Sequence, residues 1–203
     1  MLTLDNQSMK IKVAILTTSF MFLSLTTATA APIYTFPIAG CTVKYGKYHH
    51  DYPATDIDAK KGCAFVAPIA GVVDEVNTVD KWSGKTNKGA DRGGLSISII
   101  GDDGNRYYGS HLSKIEANIV PGYKVATGEK LGEIGSSGSA KGTKPHLHFG
   151  ISYPTDKGVW WIRRGVGLEK GKTSPWKYLQ AWQVGKDLKP KVVMPAQIPA
   201  EPK

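Results

Sequence analysis

A chain of 203 residues, 41% hydrophobic and 21% charged, is long enough for one domain with appendages and too apolar to be wholly disordered. Its 23 glycines and 12 prolines argue against a helical bundle and for strands joined by many tight turns. The formal charge of +9 suits a polyanionic partner, whether nucleic acid, an anionic membrane surface or an acidic wall polymer.

Lys10 and Lys12 precede an apolar run from Val13 to Leu25, which ends in Thr26-Thr27-Ala28-Thr29-Ala30. A basic start, a short apolar stretch and an Ala-x-Ala exit predict a secretory signal peptide over residues 1–30, cleaved near Ala30. The apolar run falls short of the roughly 20 residues that span a bilayer, so no stable transmembrane anchor is expected. The exported chain would carry +8, since Lys10, Lys12 and Asp5 leave with the signal. Export to the periplasm, cell wall or medium argues against a nucleic-acid partner, and no nucleic-acid motif appears.

Ile38-Ala39-Gly40-Cys41 is shaped like a lipoprotein cleavage box, but Ala30 to Pro37 separate it from the apolar run. Cys41 is therefore either lipidated or paired with Cys63, the only other cysteine. Two cysteines in an exported chain favour the disulfide.

Beyond Cys63, short apolar or alternating runs predict strands at Ile69 to Val76 and Leu95 to Ile100. Asp103-Gly104 predicts a hairpin turn into Arg106 to His111. Further strands are expected at Lys124-Val125, Leu131 to Ile134 and His146 to Ser152. Lys81 to Gly94 and Gly135 to Lys144 read as Gly-rich surface loops. Trp160-Trp161-Ile162-Arg163-Arg164-Gly165 reads either as a wall-binding patch or as a packed hairpin closing the domain edge, the hairpin being favoured. Trp176 to Val184 predicts a short helix behind Ser174-Pro175. The domain so defined covers residues 31–184, and the Lys- and Pro-rich residues 185–203 read as a flexible, extended tail.

Four of the five histidines fall in informative places. On a strand, His146 and His148 share one face while Leu147, Phe149 and Ile151 take the other. Two imidazoles on one strand face can hold a metal and a neighbouring catalytic group. His49-His50-Asp51-Tyr52-Pro53-Ala54-Thr55-Asp56-Ile57 brings imidazole and carboxylate together, with Asp56 at a strand start. Tyr107-Tyr108-Gly109-Ser110-His111-Leu112 again ends a strand on a histidine. The Gly135 to Thr143 loop lacks the Gly-Lys-[Ser/Thr] of a P-loop, and Asp102-Asp103-Gly104-Asn105 is too short for a calcium loop.

These segments, together with Ala67-Pro68-Ile69-Ala70-Gly71-Val72-Val73, Gly122-Tyr123-Lys124-Val125 and Gly132-Glu133-Ile134-Gly135-Ser136-Ser137-Gly138, occur in a familiar order. From about Gly46 to Ser152 the sequence resembles the lysostaphin-type zinc endopeptidases, the LytM-like or M23 peptidases that cleave peptidoglycan cross-links. The resemblance implies a single all-β domain with an open antiparallel sheet and a groove, followed here by a short C-terminal helix. It implies one Zn²⁺ per chain, held by His50, Asp56 and His148, with His111 and His146 as the catalytic pair beside it. The family usually separates its first His and Asp by four residues. Here both His49 and His50 lie further out, and His50 is nearer that spacing. The implied partner is cell-wall peptide; the sequence leaves the oligomeric state open, with a monomer favoured. The alternative is a non-catalytic member that binds wall material or regulates another hydrolase, although such members typically lose ligands and all five positions are filled here. Tyr45, Tyr48, Tyr52, Trp82 and Tyr107 lie near the site in sequence, and some line a groove while core packing is the ordinary expectation for any one of them.

Overall fold

The computed structural model describes residues 33–47, 49, 52–156, 158–164 and 174–201. The predicted signal peptide and His50 lie outside the described residues. Ten strands run in chain order: β1 (Ile38–Ala39), β2 (Lys44–Tyr45), β3 (Thr55–Asp58), β4 (Ala64–Val66), β5 (Gly71–Asn77), β6 (Leu95–Gly101), β7 (Arg106–Ile115), β8 (Lys124–Val125), β9 (Lys130–Ile134) and β10 (His146–Ser152). Two helices follow, α1 (Trp160–Arg163) and α2 (Trp176–Gln183). Every strand pairing is antiparallel, and the main path orders the strands β1-β4-β9-β7-β10-β3-β2, with β6 also on β7 and β5 beyond it. The expected all-β architecture is what the sequence folds into.

The core follows from strand alternation. On β10, Leu147, Phe149 and Ile151 are fully buried, and they join Ile57 of β3, Phe65 of β4, Ile97 and Ile99 of β6 and Leu131 and Ile134 of β9. Each such side chain contributes about 1.5–3 kcal/mol of transfer free energy. Gly109 on β7 is required here. A Cβ at that position would meet the Phe65 ring at 2.4 Å and Leu147 at 3.1 Å. Asp103-Gly104 makes the expected turn, with Gly104 at φ +83° and its N–H donated to the Gly101 carbonyl.

Cys41 and Cys63 form a disulfide across 22 positions, as the cysteine arithmetic favoured. It ties the loop after β1 to the start of β4. A closure of that length contributes on the order of 3 kcal/mol.

Helix α2 buries Tyr178, Leu179 and Trp182, and Tyr34 stacks on Trp182 with ring centres 5.3 Å apart. Residues 160–163, read from sequence as a hairpin edge, instead form one helical turn. Gly158, at φ +98°, turns the chain, and the helical turn drives Ile162 into full burial. The indole N–H groups of Trp160 and Trp161 then donate to Glu201 and to the Pro199 carbonyl.

Those partners lie in the Lys- and Pro-rich segment, which is extended but also bonded to the domain. Asp187 accepts from the Tyr34 N–H, the Leu188 carbonyl from Trp182, and the Pro190 carbonyl from Asn105, while the Lys191 N–H donates to the Tyr178 hydroxyl. Composition made this segment look like a free appendage, because none of these long-range acceptors leaves a mark in local sequence. Among the described residues no helix is long and apolar enough to cross a membrane.

Candidate metal centre and its cleft

Register brings the candidate residues together. Strand β10 lies between β3 and β7, setting His148 opposite Asp56 on one side and opposite Ser110 on the other. His146 stands opposite Asp58. Because β10 is half core and half cleft, its two histidines form the floor of a recess of about 530 Å³. The recess is also lined by His49, Tyr52, Asp56, Asp58, Ser110 and His111.

His148 Nδ1 lies 2.8 Å from Asp56 Oδ1, and His49 Nε2 lies 3.7 Å from Asp56 Oδ2. One ligand atom each from His49, Asp56 and His148 fits within a 4.8 Å span. Burial raises the Asp56 pKa, but the hydrogen bond to His148 and the charges of His148 and His49 outweigh it and hold the carboxyl well below its usual range. His148 Nε2 is buried without a hydrogen-bond partner. A buried imidazole nitrogen with no partner, beside a second imidazole and an ionised carboxylate, is a donor set that fits a divalent metal with an open position. Of the first-ligand pair, His49 is within reach of Asp56 and His148. His50 lies outside the described residues, so the structure sets nothing against that assignment.

His111 enters the cleft by a backbone device. Strand β7 pairs with β10 through Ser110 and with β9 from Leu112 onward, so His111 sits where the strand changes partner. Opposite it, Ser96 faces Ser110 and Leu95 faces Leu112, which makes His111 the extra residue of a bulge. Its φ is +66°, a conformation shared only with Asn87 among the described non-glycine residues. That backbone costs a β-carbon residue free energy, and it lets Ser110 and His111 both line the cleft. His111 N–H donates to the Gly93 carbonyl, and Nδ1 lies 2.8 Å from the Ser137 carbonyl. Nδ1 must carry the proton to bond that carbonyl, which leaves Nε2 as the acceptor in the neutral ring. Burial, followed by the nearby His148 and His146, pushes the His111 pKa down to about 3.

His146 is fixed in the same way, with Nδ1 2.8 Å from the Lys144 carbonyl. Its ring centre lies 4.9 Å from that of His111. The Gly-rich loop supplies both carbonyls, and its own position depends on a close crossing. Gly138, at φ +65°, lies against the backbone of Arg92 and Gly94, and a Cβ there would sit 2.1 Å from the Arg92 carbonyl oxygen. Asp80 clamps the crossing by accepting from the Gly138 N–H at 3.0 Å and pairing with Lys141.

Asp56, His111, His146 and His148 all line this one cleft. Tyr52 alone of the described aromatic candidates lines the cleft, and burial raises its hydroxyl pKa to about 12. Tyr107 is a core residue bonded to Asp103, Tyr45 donates to Gln183, and Tyr48 lies outside the described residues. Sequence reasoning missed Arg92 and Ser110 as cleft residues, and named Arg164 only within a candidate wall-binding patch. Ser110 was within reach as the neighbour of His111, had the bulge been foreseen. Arg92 carried no local signal.

The profile of Peptidase family M23 matches residues 50–159, more than half of the chain. The chain belongs to peptidase family M23. A curated relative, the L-Ala--D-Glu endopeptidase of Bacillus subtilis (strain 168), is 28% identical over 138 residues, which cover 65% of this chain. The M23 chain spans about a third, 35%, of that relative's length. Among solved structures, LytM from Ruminococcus gnavus ATCC 29149 superposes with a TM-score of 0.54 at 22% identity, covering 77% of this chain and 62% of that one. Lysostaphin from Staphylococcus simulans gives 0.52 at 23% identity, covering 80% and 60%. These two likenesses establish the fold: a curled antiparallel sheet with few helices.

Proposed function

We propose that this M23 protein is an exported, zinc-dependent endopeptidase that hydrolyses peptide cross-links of bacterial peptidoglycan. The observation that carries this reading is the buried, unpartnered Nε2 of His148 beside Asp56, with two further imidazoles each tied through Nδ1 to a backbone carbonyl. Asp56 and His148 supply two ligands of a single zinc ion, and the His49-His50 pair supplies the third. His49 is the member within 4.8 Å of the others, and His50 is the member nearer the family's usual spacing. Bound zinc would supply Lewis-acid polarisation of the scissile carbonyl and bring the pKa of water towards about 7.

The remaining steps belong to side chains of this chain. His146 and His111 each present Nε2 as an acceptor when neutral, because each donates its Nδ1 proton to a carbonyl. One takes the proton of the attacking water at Nε2. Once protonated, that ring is a donor, able to stabilise the tetrahedral oxyanion and to return the proton to the leaving amine. The Ser137 and Lys144 carbonyls hold both rings in place throughout, so neither must reorganise during the reaction.

A relative named an L-Ala--D-Glu endopeptidase supports endopeptidase activity for this chain. The test is digestion of purified peptidoglycans of different cross-link chemistry, with and without a strong chelator. Peptide release should stop with chelator and return with added Zn²⁺. Release that survives complete metal removal contradicts the proposal.

A further inference from the structure

One guanidinium in the cleft lacks the counter-charge that burial ordinarily demands. Arg164 follows α1, is only 7% exposed, and lines the cleft beside Arg92, Gly93 and Tyr52. Its Nη2 donates to the Ala90 carbonyl at 3.1 Å, and its guanidinium carbon lies 5.2 Å from the centre of the Trp160 ring. Neither partner is an anion. The neighbouring arginines are treated differently: half-buried Arg163 pairs with Glu75, and buried Arg106 with Asp74 at 2.9 Å. No described carboxylate forms such a pair with Arg164 or with Arg92, whose Nε donates to Asn87 Oδ1 at 3.1 Å.

The two acids of the cleft do not fill the gap. Asp56 spends its oxygens on His148 and His49. Asp58 stands opposite His146 and shares a separate shallow recess with Lys60 and Lys144. Arg164 is also held rigidly. A Cβ on Gly93 would sit 2.3 Å from the Tyr108 hydroxyl and 2.9 Å from Arg164 Nη2, so only glycine lets the guanidinium lie against this loop.

We propose that Arg164 and Arg92 form a carboxylate-binding subsite beside the catalytic histidines, and that this protein therefore favours wall peptides bearing a free carboxylate over their carboxamide counterparts. The inference rests on the peptidase reading of the same cleft and adds its substrate class. A planar guanidinium takes a carboxylate through two parallel charge-assisted hydrogen bonds. A carboxamide in the same place leaves a buried charge unpaired, so discrimination between the two is large. The carboxylate comes either from an acidic residue or from a free peptide C-terminus, and matched probes separate these sources.

Three synthetic peptides serve, each built on the L-Ala–D-Glu unit with a non-hydrolysable CH₂–NH link in place of the bond to be cut. The first has a free D-Glu carboxylate and an amidated C-terminus, the second carries D-Gln with an amidated C-terminus, and the third carries D-Gln with a free C-terminus. Calorimetric titration of the zinc-loaded protein should show the first or third binding about 10- to 100-fold more tightly than the second. Whichever of the two binds identifies the source. Arg92→Gln, on an exposed side chain, and Arg164→Lys should each reduce that preference about tenfold. Circular dichroism verifies that each variant is folded, and Arg92→Gln carries the test if Arg164→Lys is not. Equal binding of acid and amide by the wild-type protein, or a preference that survives in the folded variants, overturns the subsite. Displacement by inorganic phosphate at lower concentration than by either acid overturns the carboxylate assignment. A carboxylate preference in a protein that cleaves no peptidoglycan would uphold the subsite while defeating the peptidase reading.

Discussion

The two faces of β10 are built from the same seven residues to opposite ends. Leu147, Phe149 and Ile151 are wholly enclosed by apolar neighbours, and nothing on that face is left unsatisfied. On the other face, His148 keeps a buried nitrogen without a partner, and Ser110 opposite it keeps a buried hydroxyl without one. A left-handed histidine at a bulge stands beside them. Buried polar atoms without partners cost stability, so one face holds the fold while the other spends some of what the first supplies. Period-two alternation is what keeps the two tasks apart, since a one-residue slip would exchange them.

The contrast can be broken by substitution. Phe149→Ala should cost about 3–5 kcal/mol in denaturant unfolding, while the protein that remains folded binds metal as before. A folded Phe149→Ala protein that had lost its metal would show that the faces are not independent. Cys41→Ser should cost about 3 kcal/mol, again with unchanged turnover per folded molecule. Unaltered stability would mean that the bridge does not constrain the unfolded chain.

A gentler test uses pH on the metal-free protein. His111 titrates near 6.5 when unfolded and about 3 when folded, so between these values the unfolded chain binds more protons. Stability should therefore be fully present above about 6.5 and decline as the pH falls towards about 3, by at most about 1.4 kcal/mol per pH unit from this residue. Asp56, also held below its ordinary range, acts in the same direction at lower pH. His111→Gln should flatten the upper part of that slope. An unchanged slope would locate the acid sensitivity elsewhere.

Much of this arrangement was legible before any coordinates. The i, i+2 spacing of His146 and His148 on a β-branched, aromatic run assigned both faces of β10. Asp56 at the head of a short alternation supplied the partner strand, and Asp103-Gly104 supplied the hairpin that carries β7. Legibility ended where long-range pairing decides local conformation. The bulge at His111 arises because β7 changes partner from β10 to β9, and no residue near position 111 announces that change. Arg164 reaches the cleft only because Trp160–Arg163 coils into a helical turn, which Trp-Trp-Ile-Arg does not specify locally. The acceptors for those tryptophans lie some forty residues downstream, in a segment whose composition suggested no docking at all.

The central claim is that His146 and His148, two residues apart on one strand face, do different work. Zinc content and peptidoglycan hydrolysis measured on His148→Ala and His146→Ala test it most directly. The account predicts that His148→Ala is folded but holds no zinc, and that His146→Ala keeps one zinc ion per chain while turnover falls by at least 10²-fold. Equal zinc content and equal activity in the two variants would contradict it.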